Sequence, residues 1–293
     1  MKLSGKKAIV TGASIGLGKA IAEEFLAQGA DVFICARSEA SVQETVAELA
    51  KKFGAGRISG VTCDVSNEAD VAKMHGAAIK AMGHVDILVN NAGIYGPFGP
   101  TESVDVKEWW QAMEINVLGT LLPCRAVIPD FKKRGSGKII CISGGGATNP
   151  MPNISAYASS KAGAIRLMET LSEELKDHGI QVNAIAPGAL KTRMMDQIIA
   201  AGEASVGKGF FSKNKKWQED GGTPLSLGAG LCAWLASDNS GTLTGRLLSA
   251  QWDPWEDGTL GKVQDDIQKS DIYTLRRITP KDRGRTWDPK ANS

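Results

Sequence analysis

Residues 6–18 read KKAIVTGASIGLG. The run Ala8-Ile9-Val10 is continuously apolar, as a parallel strand covered on both faces must be. Gly12, Gly16 and Gly18 follow in a GxxxGxG spacing, and a helical pattern then runs from Ile15 to Gln28. Glycine lets the backbone turn sharply and approach a ligand with no Cβ in the way. A helix that opens on such a turn offers free N–H groups and the positive end of its dipole to a phosphate. Strand, glycine turn and helix in this order read as a dinucleotide cradle lined by Gly12, Ser14, Ile15, Gly16 and Gly18, with a spacing that differs from GxGxxG. The same residues match G-x-S-x-G, the serine elbow of hydrolases. An elbow needs an earlier strand loop for its oxyanion hole, and this turn follows the first strand. It also needs a histidine base. His75, His84 and His178 sit in polar helix or loop settings and read as solvated surface residues.

Working outward, the strand–helix rhythm repeats. Strands are expected at 31–36, 58–64, 86–90, 138–143 and 180–187, with helices at 41–53, 68–82, about 105–134 and 156–177 between them. Runs such as VFI and ILV are again apolar without alternation. Repeated units of this kind imply right-handed crossovers and a doubly wound, mostly parallel α/β sheet of about seven strands with helices on both faces. After Pro187 the rhythm breaks. Residues 190–222 show no clear periodicity and carry the polar run KNKKWQED, which reads as a lid over a substrate site. A helix at 224–236 and a seventh strand at 245–250 follow. No strong core pattern returns after Gln251. The chain therefore reads as one catalytic domain, 1–255, with an extension at 256–293.

Composition narrows the classes. The 293 residues hold 34 Lys plus Arg against 32 Asp plus Glu, a net charge of +2, without the basic excess of a nucleic-acid binder. No apolar run approaches the roughly 20 residues that span a bilayer, and the N-terminus lacks a signal-peptide pattern, so a cytoplasmic protein is expected. The five cysteines (Cys35, Cys63, Cys124, Cys141, Cys232) are scattered without metal-ligand spacing, so neither a disulfide framework nor a metal site is expected.

Two further features point to chemistry. The second strand ends ICARS, with Ala36-Arg37 where a chain that prefers NAD usually carries an acidic residue for the ribose 2′-OH. A guanidinium there pairs with a 2′-phosphate, which favours NADP(H) over NAD(H). Tyr157 and Lys161 lie four apart on an expected helix, one turn apart on one face. An ammonium near a phenol favours the phenolate, and a phenol tuned in this way exchanges protons with a carbonyl or alcohol oxygen.

Taken together, TGASIGLG (11–18), CDV (63–65), NNAG (90–93), Asn116 in EINVLG, Ser143 after KIICI, YASSK (157–161) and PGALKT (187–192) make the chain resemble the short-chain dehydrogenase/reductase family over about residues 3–250. The resemblance implies a Rossmann-like fold and NAD(P)(H)-dependent interconversion of a small-molecule carbonyl and alcohol. It implies that Tyr157 is the proton donor or acceptor, that Lys161 holds the nicotinamide ribose and lowers the tyrosine pKa, and that Asn116 positions a relay water. It further implies cofactor contacts from Asp64 and Val65 at the adenine, from Asn91, Ala92 and Gly93 beside the adenosine, and from Pro187, Gly188 and Thr192 near the nicotinamide or phosphates. A homodimer or homotetramer paired through the helices at 105–134 and 156–178 is implied as well. The alternative is a regulator that keeps the cofactor fold with weak catalysis.

Two departures stand out. The family's serine usually precedes the tyrosine by thirteen residues; here that position is Gly144, and Ser143 lies fourteen before. Ser143 is the expected carbonyl-polarising hydroxyl, with Ser155 as substitute. Substrate walls are expected from 94–100, 144–155 and 190–222, including Tyr95, Phe98, Met151, Met194 and Phe210, with Lys208, Lys213, Lys215 and Lys216 nearby. The second departure is the C-terminus, where Trp252 and Trp255 flank Asp253-Pro254 and a basic tail follows with Trp287. This segment is expected to fold over the subunit or a neighbour and to close the site; paired tryptophans can also stack on a sugar ring, which leaves a carbohydrate-like substrate as an alternative.

Overall fold

The computed structural model describes residues 1–284. Trp287, Arg285, Asp288 and Lys290 lie outside the described residues. A seven-stranded parallel sheet runs in the order β3-β2-β1-β4-β5-β6-β7. Its strands are β1 Lys7–Thr11, β2 Asp31–Ala36, β3 Ile58–Thr62, β4 Ile87–Asn90, β5 Gly137–Ile142, β6 Ile180–Ala186 and β7 Leu247–Ser249. The order reverses between β1 and β4. In an open α/β sheet, the crevice beyond the strand ends at such a switch point is where ligands bind.

The crossovers are α1 Gly16–Ala27, α2 Glu39–Phe53, α3 Glu68–Met82, α4 Val106–Met113, α5 Gly119–Arg134, α6 Ser155–Leu175 and α9 Leu225–Ala236, with α7 Arg193–Val206 and α8 Lys208–Glu219 before the last of these. Alternation along β5 shows the two faces. Ile140 and Ile142 pack with α1 and α9, and Ile139 and Cys141 pack with α5 and α6. Asn67 caps α3 by accepting the Asp70 N–H, and Gly83 (φ +83°) ends it, so these boundaries were set by local chemistry.

The structure corrects several expectations. The helical region expected at 105–134 is present as a continuous run, with the added feature of a π turn at Glu114–Leu118 between α4 and α5. Residues 190–222 are helical, as α7 and α8 joined through Gly207 (φ +83°). Their apolar stripe is short; Met195, Ile198 and Val206 are the buried residues of α7, and Asn214 is the one buried residue of α8. His75 is not a solvated surface residue. Its side chain is only 17% exposed, next to Asp130, and burial lowers its pKa.

The segment after Gln251 also belongs to the core. Trp255, Leu260 and Ile267 are buried, and α10 Thr259–Gln268 packs near the Asp238–Ser240 turn. The Trp255 indole N–H donates to Ala250 O (2.9 Å), whereas Trp252 is 79% exposed, so the two do not form a stacking pair. Arg246 is buried and donates to the carbonyls of Ile267, Gln268 and Ser270, where the C-terminal end of α10 leaves oxygens unpaired. Leu247 N–H donates to Tyr273 O on the outer side of β7, and Glu169 of α6 accepts the Leu275 N–H. Among the described residues the segment thus folds over its own subunit at β7, α6 and α9, and its hydrogen bonds go there rather than to Tyr157 or Lys161.

Candidate active site

The glycine turn and the NNAG loop are tied to each other at the ends of β1 and β4. Thr11 Oγ accepts the N–H groups of Asn91 (3.0 Å) and Ala92 (3.2 Å). The Asn91 amide donates to Thr11 O and Gly12 O, both at 2.9 Å. A Cβ on Gly12 (φ +61°) would meet Ala92 Cα at 2.8 Å, and one on Gly18 would run into the Asn91 amide nitrogen and Gly12 O. These two glycines are therefore required by the packing of the turn itself. At Gly16 (φ +57°) the neighbour is the Thr192 methyl, 3.5 Å away, so Thr192 faces the turn from the start of α7. Ile15 precedes α1 with extended backbone and no side chain caps the helix, which leaves its first N–H groups for an external acceptor.

At the other end of this crevice Arg37 is exposed and makes no ion pair or hydrogen bond among the described residues. Asp64 Oδ1 accepts the N–H (2.9 Å) and hydroxyl (2.6 Å) of Ser66, which fixes the turn after β3, and Val65 packs against Gly119 of α5. Gly188 (φ +92°) lies against Thr223, and Leu190 bridges to Thr223, which places the 187–192 loop beside the chain that returns from α8.

The helix α6 carries Tyr157 and Lys161 one turn apart, both buried. Lys161 Nζ donates to Ile142 O (2.9 Å) and lies 5.9 Å from the centre of the Tyr157 ring. The π turn widens the helix at Asn116, a distortion often found at functional positions. Asn116 Oδ1 accepts the Ile94 N–H (2.9 Å), and its amide donates to Ile94 O (2.8 Å) and Ser160 Oγ (2.8 Å). A Cβ on Gly93 would sit 3.0 Å from Asn116 Oδ1 and 3.3 Å from Lys161 Nζ, so the three residues meet. The expected lowering of the tyrosine pKa is reversed in the protein as it stands. Burial pushes the Tyr157 phenol up, with Tyr95 adding to it, and burial lowers the Lys161 ammonium. Desolvation disfavours the phenolate, and Lys161 Nζ is bonded to a backbone carbonyl instead.

The residues before the tyrosine are arranged differently from the expectation. Ser143 is buried, and its hydroxyl donates to Gly144 O at 3.4 Å. Gly144 instead faces Tyr157: a Cβ there would fall on the phenol oxygen. Ser155 Oγ is engaged by the Trp109 indole N–H (3.1 Å).

On the substrate side the Tyr95 ring packs against Tyr157 (centroids 4.6 Å apart) and Phe98 (5.6 Å). Asn153 joins three walls. Its backbone is left-handed (φ +66°), its carbonyl accepts the Gly99 N–H (2.8 Å), and its amide lies where a Cβ on Gly207 would approach to 2.9 Å. Met151 lines the glycine loop, and Met194 and Phe210 are half-buried on the lid. Lys208, Lys213, Lys215 and Lys216 are exposed, with Lys213 over the Trp217 ring. Sequence reasoning missed Ser160, Trp109 and Asn153. Ser160 stood in plain view inside YASSK, whereas nothing local marks an asparagine whose partners, Gly99 and Gly207, are each 54 residues away in sequence.

A family model described as short chain dehydrogenase matches residues 6–202. The chain is 37% identical to 3beta-hydroxysteroid dehydrogenase 1 of Eggerthella lenta over 254 residues, 84% of this chain and 92% of that protein. It is 32% identical to dehydrogenase/reductase SDR family member 4 of Sus scrofa over 84% of this chain and 86% of that protein. Among solved structures, an NAD+-bound xylitol dehydrogenase superposes with a TM-score of 0.78 at 26% identity, covering 85% of this chain and 98% of that one. The seven-stranded parallel sheet, the glycine turn and the matched sequence agree: the chain belongs to the short-chain dehydrogenase/reductase family of oxidoreductases.

Proposed function

We propose that this chain is an NADP(H)-preferring oxidoreductase that interconverts a carbonyl and an alcohol, with Tyr157 as the group that gives and takes the proton. The observation that carries the reading is the meeting of Tyr157, Lys161, Asn116 and Gly93 at the switch point of the sheet, beside a glycine turn with free helix N–H groups. The residues fit the cofactor. Gly12, Ser14, Ile15, Gly16 and Gly18 with Thr192 hold its phosphates, Arg37 its 2′-phosphate, Asp64 and Val65 its adenine, and Asn91, Ala92 and Gly93 its adenosine side. Lys161, Pro187 and Gly188 hold its nicotinamide half. The cofactor supplies or accepts the hydride. The chain's own part is the proton and the electrostatics: a phenol held protonated by burial donates to the oxygen of a carbonyl substrate, and the Lys161 ammonium stabilises the phenolate left behind. Asn116, with all its polar atoms engaged, clamps the backbone of Ile94 and keeps Gly93 beside Lys161.

The five cysteines are free and buried, which supports a reducing compartment, the cytoplasm. No helix among the described residues is long and apolar enough to cross a membrane. Val106, Trp110 and Leu118 are exposed apolar side chains on α4 and the π turn that leads into α5, and they support a homodimer or homotetramer paired along these helices.

Titration of the purified protein with NADPH and NADH, read by nicotinamide fluorescence, tests the cofactor. The expected result is tighter binding of NADPH; binding of neither overturns the reading. A screen with a 3-hydroxysteroid, D-glucose, xylitol and cyclohexanone follows from the relatives' names and the aromatic wall. Tyr157→Phe is expected to lower turnover by about 100-fold or more with cofactor affinity unchanged. Turnover within tenfold of wild type removes Tyr157 from the proton step.

A further inference from the structure

Tyr157 needs a partner. A carbonyl that gains charge as it is reduced is best held by two donors, since hydrogen bonds aimed at the developing charge are worth most in a water-poor site. The residue positioned to hold the second donor from β5 is Gly144, because its missing Cβ would coincide with the Tyr157 oxygen. There is no hydroxyl at that position and no room for one unless the phenol moves. Ser143, next to it, is only 3% exposed, and its hydroxyl is turned to the Gly144 carbonyl. Ser155 is taken by Trp109.

The group left beside Tyr157 is a second phenol. Tyr95 follows the NNAG loop directly, and its backbone neighbour Ile94 is clamped at both N–H and C=O by Asn116. Its ring lies 4.6 Å from the Tyr157 ring at a 56° tilt, with Phe98 on its other side, so its orientation is fixed by packing. Its hydroxyl makes no hydrogen bond among the described residues and is not among the side-chain atoms sealed from solvent without a partner, so it is open to a ligand. We infer that Tyr95 is the second hydrogen-bond donor to the substrate oxygen, in the place of a serine hydroxyl at position 144. This rests on the oxidoreductase reading above.

Burial keeps the Tyr95 phenol protonated, with its pKa pushed up to about 12, so it donates across the working range of pH. The site is then built on two phenols stacked at an angle, one mobile in its proton and one fixed. Gly144 is the residue that makes this possible, by letting the Tyr157 oxygen settle against the strand backbone.

Cyclohexanone reduction with NADPH is the test, with fluorescence titration of NADPH run on each variant. Tyr95→Phe removes one oxygen and keeps the ring, so the packing survives. It is expected to lower kcat about 10- to 100-fold with NADPH affinity within twofold, a larger loss than Ser143→Ala gives. Gly144→Ser is expected to displace the Tyr157 phenol and lower kcat by a similar factor. The inference is overturned if Tyr95→Phe stays within twofold of the wild type, whatever Ser143→Ala does, or if Gly144→Ser matches or exceeds the wild type. Failure of the underlying reading looks different: there Tyr157→Phe itself retains turnover.

Discussion

On the cofactor side of the crevice, one side chain, Asn91, donates twice to the backbone of the glycine turn, and one hydroxyl, Thr11, accepts two N–H groups in return. On the substrate side, the contacts are ring against ring at Tyr95, Tyr157 and Phe98, and a single asparagine, Asn153, where two loops and the lid meet. The first half is held by a set of part-buried hydrogen bonds that tie the two loops together at four points, which favours one arrangement. The second is held by apolar contact and by helices with few buried residues, and such regions open at low cost. A shared cofactor paired with varied substrates asks for this division: a fixed cradle next to walls that side-chain changes can reshape.

The largest effect that would break the contrast is at Gly18. Gly18→Ala places a methyl against backbone and the Asn91 amide, neither of which can swing away, and is expected to cost about 1–3 kcal/mol of stability and most of the cofactor affinity. An unchanged urea midpoint would mean that the cradle is as yielding as the lid. Next comes Arg37→Ala, which removes a free guanidinium from the rim of the cradle without touching its bonds. A charged hydrogen bond is worth about 1.5–3 kcal/mol, so NADPH affinity is expected to fall about tenfold or more with NADH affinity unchanged. Equal losses for both cofactors would make Arg37 a structural residue instead.

A smaller effect is expected at the lid. Gly207→Ala strains a left-handed backbone and presses on Asn153, costing about 1 kcal/mol locally. Steady-state kinetics are expected to show KM changed several-fold with cofactor affinity untouched. If cofactor affinity moves instead, the two halves are coupled. The smallest signal is spectroscopic. The chain has three tyrosines, and burial raises all three, Tyr95 to about 12. Absorbance at 295 nm is expected to show no full tyrosine step near pH 10 in the native protein. The unfolded chain gives up these protons from pH about 10, while the folded chain keeps them, so stability from these groups is complete below that pH and is lost as pH rises toward 12. Early ionisation of one tyrosine would show that the substrate side opens to water far more than its packing implies.

The strands and crossovers up to β6 were legible because their signals are local: short unbroken apolar runs such as AIV, VFI and ILV, glycine at the turns, Asn67 and Gly83 at the ends of α3. The same locality made the Tyr157–Lys161 pair and the glycine turn visible. The lid was read as irregular because its two helices bury little, so neither carries a long apolar stripe. The C-terminal segment was read as an addition because its anchors are single residues. Trp255, Leu260 and Ile267 each fill a place on the core, and the groups that receive the segment, Arg246 and Glu169, lie outside it.

By itself the sequence determined the doubly wound sheet, the glycine turn after its first strand, and the residue types that a hydride-transfer cofactor and a proton-exchanging phenol require. Periodicity and turn chemistry act over a few residues, and a few residues are enough to show them. Only the tertiary structure decided which way Ser143, Gly144 and Tyr95 face, that two glycines of the cradle serve Asn91, and that burial raises the Tyr157 phenol. Those outcomes depend on desolvation and on contacts between β5, the NNAG loop and α6, elements separated by tens of residues, and no local pattern encodes the distance between them.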